Sequence, residues 1–148
     1  MYSVQLITHL NTLIQTCKDS ATGFAQCADI SDNAMLKAAL TQNYRHCSAS
    51  AGELDILLSS LGGNSALNST LAATRRWPEV KASASENDEE AIVQTYERSL
   101  EVALSSYQNV LSQHLPEYVR IIVSRQMAGL QVMSNEIKNL LNSLYASA

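Results

Sequence analysis

The acidic and histidine residues are the side chains of this sequence with the clearest potential for metal chemistry. A di-iron centre in a four-helix bundle takes one Glu from each of two helices and a Glu-x-x-His motif from each of the other two, because that spacing places both side chains on one inward face. No Asp or Glu here has His at the third position after it; after Glu53, that position holds Ile56. The sequence therefore lacks the di-iron motif, and we predict no bound metal or cofactor.

A smaller set of polar residues supports the alternative hypothesis of a degenerate metal site. His46, Ser50 and Glu53 lie on one side of a helix by four- and three-residue spacing, either as a polar cluster or as an ordinary solvated face. Gln126 interrupts an apolar pattern, which favours an amide hydrogen-bonded across the bundle over a ligand-binding amide. The candidate ligands for iron or zinc in this alternative, a metal-binding protein or oxidoreductase, are His46, Glu53, Glu97, Glu101 and Gln126.

The three cysteines, Cys17, Cys27 and Cys47, lie inside helical patterns of a chain that is large enough to fold without disulfides. We expect buried, reduced thiols and a cytoplasmic location. Cys17 and Cys47 could bind zinc with His46 nearby, but their distances from the intervening turn differ by about four residues, or roughly 6 Å. No fourth ligand is evident, which argues against a zinc site at these thiols. Zinc binding stays an alternative to the predicted absence of a metal.

The spacing of apolar residues predicts the helices that must position these side chains. Apolar or small residues recur in three- and four-residue steps, which predicts helices at about 4–28, 32–61, 88–113 and 116–145. Ser31 or Asp32 is predicted to cap the second helix, Gly62 and Gly63 to end it, and Pro116 to begin the fourth. The predicted core positions are Ile7, Leu10, Ile14, Cys17, Ala21, Phe24, Ala28, Leu40, Tyr44, Cys47, Ala51, Leu54, Leu58, Leu61, Val93, Tyr96, Leu100, Ala103, Leu104, Tyr107, Val110, Val119, Ile122, Gln126, Leu130, Met133, Ile137, Leu140 and Leu144.

The lengths of the connections predict the topology of the bundle. Helices one and two, and helices three and four, are joined by a few residues each, so both pairs must be antiparallel hairpins. A helix of thirty residues is roughly 45 Å long, and the link 62–87, with a short helix inside it, can run that distance. We therefore predict one domain, an all-α ferritin-like four-helix bundle with one long crossover between helices two and three; a bundle with a loose loop is the alternative.

Counting residues from the hairpin turns predicts which side chains share the middle of the bundle. This layer should contain residues 13–17, 47–50, 97–100 and 130–134. Glu97 is the only strong metal ligand among them. A single carboxylate does not hold two irons against water, which again favours a protein without a di-iron centre.

The charge balance excludes several classes of partner. The 148 residues carry a net charge of -4, and the ten Lys and Arg residues are scattered along the chain, so we expect no nucleic-acid or membrane partner. The apolar stretch 4–14 is broken by polar residues and lacks a basic region before it. We expect neither a signal peptide nor a membrane span there.

Several segments together resemble a known family. They are Lys18–Asp19 through Gly23–Phe24–Ala25, Glu53–Leu54 through Leu61–Gly62–Gly63, Trp77 with Lys81, Tyr96–Glu97–Arg98 with Tyr107, and Leu115–Pro116 through Arg125–Gln126. Their order and spacing resemble small bacterial ferritin-like four-helix-bundle proteins of unknown function, among them a pseudomonad protein. The resemblance implies a cytoplasmic bacterial protein with no established reaction. It also implies that relatives have acidic residues near the positions of Ala21, Leu100 and Ser124 and a His near the position of Ser134. At these four positions this chain has no metal ligand.

These observations together predict a non-enzymatic bundle that acts through its structure or through protein contacts. A role in stress adaptation is implied by the resemblance alone. Ile56, Val102 and Ile121 are apolar but lie off the predicted core positions. They suggest self-association, although single apolar residues are ordinary on protein surfaces.

Overall fold

The computed structural model describes residues 4–63 and 89–145, which form four helices. They are α1 (Val4–Ile30), α2 (Ala34–Ser60), α3 (Glu89–Leu111) and α4 (Glu117–Tyr145). No strand occurs within these two ranges, so the predicted all-α bundle is confirmed. The short helix predicted within the crossover falls outside the described residues. None of the four helices combines the length and the apolar character that crossing a bilayer requires.

The helix ends follow from local hydrogen bonds, with one correction to the predicted caps. The N-cap of α2 is Asn33, whose Oδ1 accepts from the Leu36 N–H at 2.9 Å. Neither Ser31 nor Asp32 has this role, because the helix begins two residues later than predicted and the cap must lie directly before its first residue. The predicted stop is confirmed: Gly62 has a φ of 86°, and the Gly63 N–H donates to the Leu58 carbonyl at 2.9 Å.

The turn between α3 and α4 is held by a proline and an arginine. The Pro116 carbonyl accepts from the N–H groups of Val119 and Arg120, both at 3.0 Å, and so opens α4 as predicted. The Arg120 guanidinium donates to the carbonyls of Leu111 and Gln113, also at 3.0 Å. It thus satisfies carbonyl groups at the end of α3 that have no partner within the helix.

The cross-helix contacts establish the helix directions. α1 packs against α2 and α3, and α4 packs against α2 and α3, so the described helices form a square. Between α1 and α3, Cys17 contacts Tyr107 whereas Cys27 contacts Ile92. Residue numbers rise along α1 while they fall along α3, so these helices are antiparallel. Since α1 and α2 form a hairpin, α2 and α3 run parallel on the diagonal, as the predicted topology has them.

The predicted core positions that the structure describes are buried or half-buried, with one exception. Tyr44 is the exception, since 39% of it is exposed, and the fully buried Asn43 points inward in its place. The reason is that α2 packs against both α1 and α4, and Asn43, four residues before Cys47, lies on the side that faces both neighbours. The half-buried members of the predicted core are Ile7, Val93, Leu104, Ile122, Met133 and Leu140. The side chain of Leu144 is outside the described set.

Candidate functional site

A chain of polar side chains crosses the bundle interior and takes one residue from each of three helices. Cys17 on α1, Tyr107 on α3 and Gln126 on α4 are all buried. The Cys17 Sγ lies 3.3 Å from the Tyr107 hydroxyl, which donates to the Gln126 Oε1 at 3.0 Å. Because the phenol has one proton and gives it to Gln126, the Cys17 thiol must donate to the phenol oxygen. The hydrogen bonds therefore run in one direction, from α1 towards α4.

The chain continues from Gln126 to the protein surface. The Gln126 Nε2 donates to the Ser50 carbonyl at 3.3 Å and to the Glu53 Oε1 at 2.7 Å. The second Glu53 oxygen accepts from the Arg125 guanidinium. One amide thus joins α2, α3 and α4, and we call Cys17, Tyr107, Gln126, Glu53 and Arg125 the paired network.

His46 adds a contact between α2 and α4 next to the paired network. Its Nε2 lies 2.9 Å from the Gln126 carbonyl, and because a carbonyl only accepts, Nε2 carries the proton. The imidazole also packs on Gly129, where an added Cβ would come within 2.7 Å of the His46 Cε1. Glycine at this position therefore allows the ring to lie against the α4 backbone.

Burial keeps the ionisable groups of the interior neutral. It raises the pKa of the Cys17 thiol to about 11, although the hydrogen bond with Tyr107 partly offsets this. It also raises the pKa of Cys27 to about 12 and the pKa of Cys47 and Tyr107 further. All three cysteines are free thiols. Since the thiolate is the nucleophile, these protonated thiols are weaker nucleophiles at neutral pH than exposed cysteines.

Glu53 is the charged end of the paired network. The hydrogen bond from Gln126 lowers the pKa of the Glu53 carboxyl, burial partly opposes this effect, and Arg125 lowers the pKa further. The carboxylate is therefore ionised at neutral pH, and both of its oxygens are engaged by neighbouring donors.

A second group of buried polar residues lies about two turns further along the bundle. The Tyr96 hydroxyl donates to the Ser134 carbonyl at 3.5 Å, and the Asn43 amide approaches that hydroxyl without hydrogen-bond geometry. Ser20 and Ser99 are fully buried in the same region. Within the described chain, neither hydroxyl and neither polar atom of the Asn43 side chain has a hydrogen-bond partner. We call Ser20, Asn43 and Ser99 the unpaired group.

A model of the family "domain of unknown function (DUF2383)" matches residues 5–113. The chain belongs to the DUF2383 family. No curated protein matches it. The matched range ends before α4, so it includes Cys17, Glu53 and Tyr107 of the paired network but not Gln126 or Arg125. The relation to ferritin-like proteins remains a prediction.

The structure brings three of the five candidate ligands of this DUF2383 chain together. His46, Glu53 and Gln126 lie at one junction between α2 and α4, and Ser50 is buried there. The predicted cross-bundle hydrogen bonding of Gln126 is confirmed, and His46 and Glu53 each contact this residue, one at its main chain and the other at its side chain. Within the described ranges, no three His, Cys, Asp or Glu side chains are grouped as metal ligands would be. The absence of a bound metal stays a prediction, with metal binding as its alternative.

Glu97 and Glu101 lie apart from that junction, on the exposed side of α3. They line a groove between α3 and α4 with a volume of about 400 Å³, opposite Lys138. Leu100 and Leu104 line the same groove. The five candidate ligands thus divide into two separate places.

The predicted middle layer is wrong for the second hairpin. Cys17 is level with Tyr107 and Gln126, whereas Gly23, six residues further along α1, is level with Ser99. The turns of the two hairpins lie at opposite ends of the bundle, so their offset depends on side-chain packing and not on residue counts. Sequence reasoning missed Tyr107 and Asn43 as polar partners; an Asn four residues before a predicted core Cys was the available signal.

Proposed function

We propose that this protein is a non-enzymatic helical bundle, without a resident metal or cofactor, that acts through its structure and through contacts with other protein chains. The paired network is the main support. Its polar groups bond to one another between helices, so their hydrogen-bonding capacity is used to hold the helices in register. Catalytic groups, in contrast, direct that capacity towards a substrate-sized space.

The state of the buried thiols and of Glu53 also favours a structural role. The Cys17 and Cys27 thiols are protonated at neutral pH because burial raises their pKa. Both Glu53 oxygens accept hydrogen bonds, from Gln126 and Arg125, so a metal ion would have to compete with these two donors for the carboxylate. A nucleophilic or metal-binding role would need deprotonated thiols and a carboxylate that is not committed to these hydrogen bonds.

The second candidate is a degenerate metal-binding protein or oxidoreductase. The contacts of His46 and Glu53 with one residue favour it, since the His46 imidazole bonds to the main-chain carbonyl of Gln126 and the Glu53 carboxylate accepts from its side-chain amide. Iron or zinc would be the metal, because imidazole and carboxylate bind both. Glu97 and Glu101 would serve only as a separate site in the α3–α4 groove.

Metal content and oxygen consumption distinguish the two candidates. The protein is purified without chelators, incubated with ferrous ion under anaerobic conditions, and then exposed to oxygen. We expect iron and zinc far below one ion per chain by elemental analysis and no oxygen consumption above buffer. Near-stoichiometric iron with turnover that Glu53→Gln abolishes would overturn the proposal.

We propose a cytoplasmic location and a role in stress adaptation from the resemblance to bacterial four-helix-bundle proteins. Comparing a deletion strain with its parent under starvation and oxidants tests the role, and equal survival in every condition would contradict it.

A further inference from the structure

Three large aliphatic side chains are exposed on the outer side of the α2–α4 pair. Ile56 on α2 is 75% exposed, and Ile121 and Val132 on α4 are 58% and 60% exposed. Tyr118 lies on the same side of α4, since residues 118, 121, 125, 128 and 132 follow three- and four-residue spacing. We call this surface the α2–α4 face.

Ile56 and Ile121 are at the same level of the bundle. Glu53 contacts Arg125 across the antiparallel α2–α4 pair. Ile56 is three residues beyond Glu53, and Ile121 is four residues before Arg125, so both are displaced in the same direction, by about 4.5 and 6 Å. The two exposed isoleucines are therefore neighbours on adjacent helices.

The centre of the face permits close approach by another helix. Ala49, Gly52 and Ala128 are exposed and small, and a Cβ added at Gly52 would meet no atom within 4 Å. Arg125 is the cation of this central region, and its ion pair with Glu53 neutralises it. A second neutral face can therefore approach without like-charge repulsion.

We propose that the α2–α4 face binds the same face of a second copy of this chain, about a two-fold axis parallel to the helices. This inference rests on the proposed function, because it names the partner of a protein that acts through contacts. Such an axis places α2 of one copy opposite α4 of the other, and it leaves the height of each residue along the bundle unchanged. Ile56 of each copy then packs on Ile121 of the other, which is the reciprocal contact that a two-fold interface requires.

The charges at one end of the face agree with this arrangement. Arg45 on α2 and Glu136 on α4 are both exposed. His46 lies against Gly129, so these two residues are at about the same height along the bundle. Counted from that contact, Arg45 and Glu136 differ in height by about six residues, or roughly 9 Å. The two-fold axis places Arg45 of each copy on the helix that faces Glu136 of the other, so attraction between these opposite charges favours the arrangement twice.

Val102 is not part of this surface. It is 38% exposed on α3, and α3 is diagonal to α2. Of the three residues that suggested self-association from the sequence, two belong to the face and the third provides a matched control.

Complementary charge variants test the interface by sedimentation equilibrium. We expect the wild-type chain to be a dimer. Ile56→Glu and Ile121→Arg should each raise the dimer dissociation constant at least about thirtyfold, because each places a charge against an isoleucine of the other copy. Val102→Glu should leave it unchanged. Far-UV circular dichroism checks that every variant remains folded.

Mixing the two charge variants identifies the facing residues. A mixed dimer contains one Glu–Arg contact and one Ile–Ile contact, so the mixture should form dimers although neither variant does alone. A mixture that stays monomeric would overturn the pairing. A wild-type monomer at every concentration, a higher oligomer, or equal weakening by Val102→Glu would overturn the dimer itself. None of these results alters the metal and oxygen measurements, so failure here is distinct from failure of the proposed function.

Discussion

The paired network and the unpaired group are two polar regions in the interior of one bundle, and they differ in whether their buried polar atoms are hydrogen-bonded. In the paired network, Tyr107 and Gln126 bond to each other and connect to a charged pair at the surface. In the unpaired group, Asn43 and Ser99 are as deeply buried, but the polar atoms of their side chains have no hydrogen-bond partner within the described chain. Buried polar groups stabilise a fold only when they are paired. The first region should therefore stabilise the bundle, and the second should weaken it.

Removal of the Gln126 amide should have the largest effect. Gln126→Met keeps the length of the side chain. It removes the acceptor of the Tyr107 hydroxyl and the donor to the Ser50 carbonyl and the Glu53 carboxylate. We expect a loss of about 2–3 kcal/mol in the free energy of unfolding. Urea denaturation followed by circular dichroism measures it. A loss close to zero would mean that the network does not stabilise the bundle.

Deletion of one hydroxyl from each region compares them directly. Tyr107→Phe removes a paired hydroxyl and should cost about 1–2 kcal/mol, whereas Ser99→Ala removes an unpaired one and should gain about 1 kcal/mol. The same urea titration applies to both variants. The contrast between the regions would be lost if both substitutions shifted the free energy of unfolding in the same direction.

Acidification should have the smallest effect, through Glu53 at the surface end of the paired network. Its folded pKa is lowered, so its contribution to stability is complete above its ordinary pKa of 4.5 and is lost as the pH falls through the folded value. Below about pH 4.5, the wild-type chain should lose more stability than Glu53→Gln, which cannot ionise. Parallel losses in urea titrations at pH 7, 5 and 3 would contradict this assignment.

The sequence predicts the helices and their connections because both depend on short-range information. Apolar spacing identifies the buried side of each helix, as with Leu10 and Leu54, and the length of the link permits parallel α2 and α3. The inward position of Gln126 was predictable because a polar residue interrupts an apolar pattern.

The sequence could not predict which polar residues meet, because that depends on how one hairpin slides along the other. Tyr107 and Cys17 are 90 residues apart in sequence, and no turn relates them. A shift of one helical turn would pair Cys17 with different residues of α3. The packing of large side chains such as Phe24 on Tyr96, with ring centroids 5.6 Å apart, selects the observed register.

The diagonal arrangement of α2 and α3 has a consequence for the order of events in folding. Each hairpin closes over a short turn, whereas the hydrogen bond between Cys17 and Tyr107 requires the two hairpins to dock across the long crossover. Contacts of high sequence separation form late when loop closure opposes them. We therefore expect Tyr107→Phe to accelerate unfolding while leaving the refolding rate nearly unchanged, as is typical of interactions absent from the transition state. The paired network would then determine the lifetime of the native bundle and not the rate at which it forms.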